Sequence, residues 1–274
     1  MALGNTAKRI LVSVISIPLI LAVSFYGNAY FLLFVLFVAL FSFYEFARMV
    51  KNKGANVNLI LGFAAVFFFV LNSFRYFLDT YFFLLIFIAA LSLTELFRNK
   101  NSAVYNIGTT FLGVFYIGLL ASALIGIRQM YSSAGGDYYK GGYIIIAMFI
   151  AIWICDSAAF FGGTSLGKHK LFPRVSPNKS WEGAIFGFIF ALVTMMFTKV
   201  IFLEFLSWQT IIALGIIIGI IGQLGDLIES LFKRDTGVKD SSNIIPGHGG
   251  IFDRFDSVLF TAPFVLMYLK YFGN

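Results

Sequence analysis

Nine apolar runs, at roughly 10–27, 29–46, 57–72, 81–96, 107–127, 142–161, 183–203, 209–229 and 255–272, leave this chain little choice of surroundings. Each approaches the length of helix that crosses a hydrocarbon core of ~30 Å. In lipid every backbone polar group must find its partner inside the segment, so runs of this kind become helices. A chain that is 59% hydrophobic, with 35 phenylalanines, also lacks the polar surface needed to hide them in a soluble fold. The expectation is an all-α polytopic membrane protein with about nine transmembrane helices. Gly27-Asn28 separates the first two runs and demands a tight turn. The Lys8-Arg9 flank is that of a signal peptide, but no small-residue cleavage site precedes Ala29, so the first run reads as a retained span. The natural division is an N-terminal set of about five spans (1–141) and a C-terminal set of about four (142–274).

Charge orients the bundle. With the N-terminus in the cytoplasm, fifteen of the 20 Lys and Arg residues fall on that side. They are Lys8, Arg9, Arg48, Lys51, Lys53, Arg98, Lys100, Lys168, Lys170, Arg174, Lys179, Lys233, Arg234, Lys239 and Arg254. Arg75, Arg128, Lys140, Lys199 and Lys270 fall on or near the other face. Positive residues stay inside, so the bias sets the topology. The net charge of +7 is spread among apolar runs and matches anionic headgroups, which excludes a nucleic-acid footprint. The single cysteine, Cys155, excludes an intrachain disulfide. Without a transit segment, the expected location is a bacterial inner membrane.

The polar residues are concentrated. Ser230–Asp256 holds eight of the charged residues in a chain with only 13 Asp and Glu, and it lies between two apolar runs. Such an island is costly beside a bilayer and points to function. Its cations and carboxylates suit polyphosphate held together with a divalent metal. Asp253 and Asp256 lie three apart at the start of the last span, as Asp226 and Glu229 do at the end of the one before. Carboxylates sharing a helix face repel unless a cation bridges them. Oxygen-rich, cysteine-free ligation selects Mg²⁺ or a similar hard cation, with room for a second. Pro246-Gly247-His248-Gly249-Gly250 offers exposed backbone amides to phosphate. Upstream, Asp156 sits within an apolar span, and Gly162, Gly163 and Gly167 let backbone approach a substrate closely. Lys168, Lys170, Arg174 and Lys179 form a cationic loop, and Ser180, three before Gly183, is placed to start the next helix. Gly215, Gly219, Gly222 and Gly225 read as a helix-packing stripe. Phe43–Arg48 and Leu93–Arg98 echo each other 50 residues apart, each placing Glu three before Arg as a self-neutralising pair.

Ser230–Asp256 carries, in order, Ser, two places, Lys-Arg, four places, Lys-Asp, then Pro-x-His-Gly-Gly, two places, Asp-Arg-x-Asp. In this the chain resembles the phosphatidate cytidylyltransferases, or CDP-diacylglycerol synthases. The likeness extends to Ser176-Pro177-x-Lys179, Trp181-Glu182-Gly183 and the Asp156 segment, about the C-terminal half. It departs where the family often reads Asp-Thr-Gly-Ala-Tyr and this chain has Asp156-Ser157-Ala158-Ala159-Phe160. Lys179-Ser180 likewise stands for a frequent Lys-Thr.

The resemblance implies transfer of a cytidylyl group from CTP to phosphatidic acid, giving CDP-diacylglycerol and pyrophosphate, in a polar cleft facing the cytoplasm and open to lipid. It implies a homodimer. Asp226, Asp253 and Asp256 would bind Mg²⁺, and Lys233 and Arg234 would grip phosphates. Lys179, Lys239, His248 and Arg254 would complete the substrate site, with Asp156 as a polar wall. Three readings compete with it. A CTP-dependent lipid kinase would move the γ-phosphate instead, a cytidylyltransferase for a polyprenyl or ether lipid would use another acceptor, and a secondary transporter would use Asp156 and Asp226 as ion-coupling carboxylates.

Overall fold

Each apolar run forms one helix. The computed structural model describes residues 5–132, 136–242, 244 and 249–273, and for residues 5–11 the backbone alone. The helices are α1 (Asn5–Tyr26), α2 (Asn28–Lys51), α3 (Leu59–Phe74), α4 (Thr80–Arg98) and α5 (Ala103–Gln129). They continue with α6 (Tyr139–Leu166), α7 (Trp181–Ile201), α8 (Trp208–Asp235) and α9 (Phe252–Tyr271). By length and composition six of them can cross a membrane: α2, α4, α5, α6, α7 and α8. The chain is thus mostly helical and has the character of an integral membrane protein.

Local chemistry sets the helix starts. Asn58, Asp79, Ser102, Ser180 and Ser207 cap α3, α4, α5, α7 and α8, each side-chain oxygen accepting an amide from the first turn. The predicted break between α1 and α2 is present, with Gly27 at φ 68° and Asn28 at φ 46°. Arg128, 1% exposed, secures that corner. Its guanidinium donates to the carbonyls of Ser24 (2.9 Å) and Phe25 (2.8 Å), which end α1, and to that of Tyr138 (2.6 Å). A cation at the carboxyl end of a helix is well placed against its dipole.

In the C-terminal half the helices pack in sequence order, α6 on α7, α7 on α8 and α8 on α9, while α9 also meets α5 and α2. The glycine stripe of α8 allows this packing, as expected. A Cβ on Gly219 would come within 3.2 Å of the Phe188 Cα of α7. One on Gly225 would come within 2.8 Å of the Phe260 Cβ of α9. Gly162, Gly163 and Gly167, expected to give a substrate room, lie against other parts of the chain. Gly162 faces Phe186, Gly163 meets Gly183, and Gly167 lies against Ser180, so these glycines draw α6 onto α7 and the start of its capped helix. Among the described residues the one departure from an all-helical chain is a hairpin. β1 (Lys170–Phe172) and β2 (Ser176–Ser180) pair antiparallel, Lys170 with Ser180 and Phe172 with Ser176. Glu182 ties this hairpin to α7, accepting the amides of Lys168 (3.1 Å) and His169 (3.2 Å) and meeting His169 Nδ1 at 2.6 Å.

Candidate active site

The hairpin and the ends of α6, α8 and α9 surround a cavity of about 970 Å³. Its polar lining includes Asp156, Lys179, Asp226, Lys233, Asp253, Arg254 and Asp256. α1 adds a largely apolar stretch to the lining through Val12, Ile17 and Ile20, with Ser13 and Ser16 between. Seven residues expected to carry the chemistry therefore meet in one space, although Asp156 and Asp256 are 100 positions apart.

The packing of α8 on α9 makes this possible. With glycine at 225, the α8 backbone lies against Asp256 and Ser257 of α9, bringing Asp226 and Asp256 onto neighbouring surfaces. Asp156 reaches the same space from α6. All three carboxylates line the one cavity. Asp226 has a cation beside it, with Lys179 Nζ at 2.7 Å from Oδ2. Asp256 has none within ion-pair distance among the described residues. It is 7% exposed, and its Oδ1 accepts the Ser257 amide at 2.6 Å. Asp156 is exposed and lines the cavity.

Asp253 is held differently. Its Oδ1 accepts Lys233 Nζ at 2.6 Å, and its Oδ2 accepts the amides of Ser241 (2.9 Å) and Gly250 (2.7 Å) and the Ser241 hydroxyl (2.7 Å). The Lys233 ammonium also lies 2.6 Å from Glu229 Oε2, a carboxylate with no exposed surface. Lys233 thus stands between two carboxylates at the edge of the cavity. Gly249 belongs to the same turn and adopts φ +80°, a conformation that disfavours a side chain.

The match to known proteins covers nearly the whole chain. Residues 7–272 fit the Cytidylyltransferase family. The chain belongs to that family. It is 34% identical over 271 residues to the phosphatidate cytidylyltransferase of Bacillus subtilis (strain 168), covering 97% of this chain and 98% of that protein. The phosphatidate cytidylyltransferase of Haemophilus influenzae is 46% identical over 136 residues, about half of each chain (47% and 46%). That of Staphylococcus saprophyticus is 39% identical over 174 residues, 63% of this chain and 62% of that one.

Not every residue expected in this cytidylyltransferase site lines the cavity. Arg234 is exposed and donates to the carbonyls of Val175 (3.3 Å) and Val238 (3.2 Å), joining the end of α8 to the hairpin. Lys239 is exposed beyond the cavity lining. His248, with Pro246 and Gly247, lies outside the described residues. The described residues contain no set of three or more His, Cys, Asp and Glu already gathered as a metal centre. The donor set nevertheless fits a hard cation. It is all oxygen, and Asp256 is a buried carboxylate that shares the cavity with Asp156 and Asp226 and, among the described residues, has no ammonium or guanidinium within ion-pair distance. Mg²⁺ is usually held by one or two carboxylates together with substrate phosphates, which a preformed protein cage would not need.

Sequence reasoning missed two residues near the site. Tyr116 lies in a π-helical turn of α5 (Val114–Leu119), its ring against Phe232, Phe252 and Phe260 behind Asp256. Glu45 was expected to pair with Arg48. It turns instead to the loop before α9, while Arg48 lies over the Tyr44 ring at 5.8 Å. The 50-residue echo holds only for its second copy, where Arg98 Nη1 meets Glu95 Oε1 at 2.6 Å.

Proposed function

We propose that this protein transfers the cytidylyl group of CTP to phosphatidic acid, giving CDP-diacylglycerol and pyrophosphate. The observation that carries this reading is the cavity's mixed lining. Its carboxylates and cations suit a triphosphate with its metal, and the apolar residues of α1 suit the hydrocarbon of a lipid whose headgroup reaches them. The names of the curated relatives agree with it.

In this reading an oxygen of the phosphatidate headgroup attacks the α-phosphorus of CTP. A P–O bond forms, and the bond from the α-phosphorus to the bridging oxygen breaks, its electron pair leaving on pyrophosphate. Phosphomonoesters are already anionic near pH 7, so no strong general base is needed. The protein's work is positioning and charge neutralisation. Asp226 and Asp256 would hold Mg²⁺ with Asp156 beside them, and the ion would supply neutralising charge to the phosphates. Lys179 and Arg254 face the cavity and would meet phosphate oxygens. Lys233 offsets the buried charge of Glu229 and keeps Asp253 in place. In this reading α1, α3 and α9 cross the membrane along with the six long apolar helices, and the N-terminus lies inside, so the cavity opens to the cytoplasm, where CTP is. A bacterial inner membrane and a homodimer complete the reading.

The test is turnover of purified protein with α-labelled CTP, phosphatidic acid and Mg²⁺. Label in the lipid fraction, release of pyrophosphate and arrest by EDTA are expected. Transfer of γ-label to lipid would establish a kinase instead, and neither transfer would overturn the reading.

A further inference from the structure

Glu45 lies on α2, far in sequence from every group it binds, and the chemistry above does not use it. Its carboxylate is fully buried, 0% exposed. Oε1 accepts the Ser242 hydroxyl at 2.5 Å and the Ile251 amide at 3.0 Å. Oε2 accepts the Phe252 amide at 2.8 Å and lies 3.0 Å from the Ser241 hydroxyl. A buried carboxylate without a counter-cation is unfavourable unless donors surround it, and here they do.

The identity of these donors matters more than their number. Ile251 and Phe252 present the first free amides of α9, whose N-cap position lacks a side-chain cap of its own. Glu45 caps α9 from another helix, and its negative charge stands at the positive end of the helix dipole. The Ser241 hydroxyl lies between Glu45 Oε2 and Asp253 Oδ2, 2.7 Å from the latter, sharing one proton between two carboxylates. Asp253 Oδ2 also takes the Gly250 amide. Two carboxylates, from α2 and α9, thus hold Ser241 and Ser242 against Gly250, Ile251 and Phe252. Gly250 leaves room for this arrangement, since a Cβ there would lie 2.5 Å from Glu45 Oε2 and 2.6 Å from Oε1.

We propose that Glu45 is a positioning residue for cytidylyl transfer. It fixes the start of α9, and through it the placement of Asp253 and Asp256 against α8. The inference rests on the reaction proposed above.

The experiment compares wild type, Glu45→Gln and Ser242→Ala in two measurements: steady-state kinetics with CTP, and amide hydrogen exchange over residues 249–256. Glu45→Gln should lower kcat by about 10- to 100-fold, the scale of loss when reacting groups are displaced by about 1 Å. KM for CTP should move by less than about threefold, since the cations facing the nucleotide remain. Exchange at Ile251 and Phe252 should accelerate. Ser242→Ala, which removes one donor at a position outside the cavity lining, should lower kcat by about two- to fivefold. Faster exchange with kcat within about twofold of wild type would overturn the proposal, as would a rise in KM alone. If Glu45→Gln does not fold, Ser242→Ala decides, and an unchanged kcat overturns the proposal. A wild type that makes no CDP-lipid while its amides respond as expected refutes the proposed reaction, and the positioning role with it, but leaves the Glu45 cap standing.

Discussion

Replacing Asp256 with asparagine should stabilise the metal-free protein while destroying its activity. Asp256 is 7% exposed, and among the described residues no cation lies within ion-pair distance. Burying an uncompensated ion costs several kcal/mol even after relaxation. Asparagine keeps an oxygen for the Ser257 amide, so that contact survives. Its new amide group needs partners of its own, which returns about 1–3 kcal/mol of the gain. A net stabilisation of about 1–2 kcal/mol remains, or about 2–8 °C for a chain of this size. The assay is thermal unfolding in detergent, followed by fluorescence of the three tryptophans, with EDTA or with Mg²⁺. In EDTA the variant should melt above wild type. Mg²⁺ at a hundredfold excess over its dissociation constant should stabilise wild type by about 2.7 kcal/mol and the variant by much less, reversing the order. Turnover of the variant should fall by about 10²–10³, the usual loss when a charge-stabilising group is removed from an active site. A variant that melts below wild type in EDTA, or responds equally to Mg²⁺, would refute the assignment of Asp256 as an unpaired, cation-seeking carboxylate.

Other substitutions separate function from framework. Lys179→Met should shift the melting midpoint little, because its pair with Asp226 is partly exposed (29% and 33%) and such pairs contribute about 0–1 kcal/mol. Its kcat/KM for CTP should nonetheless fall by about tenfold or more, and a rate near wild type would remove Lys179 from the phosphate site. Gly225→Ala should destabilise by about 1–3 kcal/mol through overpacking against Phe260 and the Asp256 carbonyl, measured as a lower melting midpoint with reduced turnover. Glu95→Gln weakens the Arg98 pair and should cost about 1–3 kcal/mol of stability. Activity per folded molecule should be unchanged, and a catalytic defect would show that α4 communicates with the cavity.

How much of this was legible in the sequence depends on how far apart the interacting groups lie. The nine helices follow from apolar runs, which are local. The convergence of Asp156, Lys179, Asp226 and Asp256 was also anticipated, because charge in a bilayer-bound chain is scarce and its positions stand out. The hairpin escaped notice since neither three- nor five-residue strand in a basic loop shows periodicity. The resemblance places Lys233 on substrate phosphate; it lines the cavity and there stands between Glu229, one helical turn away, and Asp253 across the turn.

The two copies of the Glu-Arg echo show where local inference stops. Each places Glu three before Arg at the end of an apolar helix, and helix geometry permits the same pair in both. On α4 that pair forms, with Asn106 the further partner of Glu95. On α2 the same spacing faces the unpaired amides of α9, more than 200 positions along the chain. Two amides at a helix start, together with hydroxyl donors, outbid a surface guanidinium for a buried carboxylate, because desolvation strengthens the bonds made inside and an exposed ion pair is screened. Arg48 is left to its neighbouring ring, and Glu45 becomes part of the framework that holds Asp253. A pattern confined to one helix cannot distinguish these outcomes. What decides is whether another element brings donors that would otherwise be buried without partners.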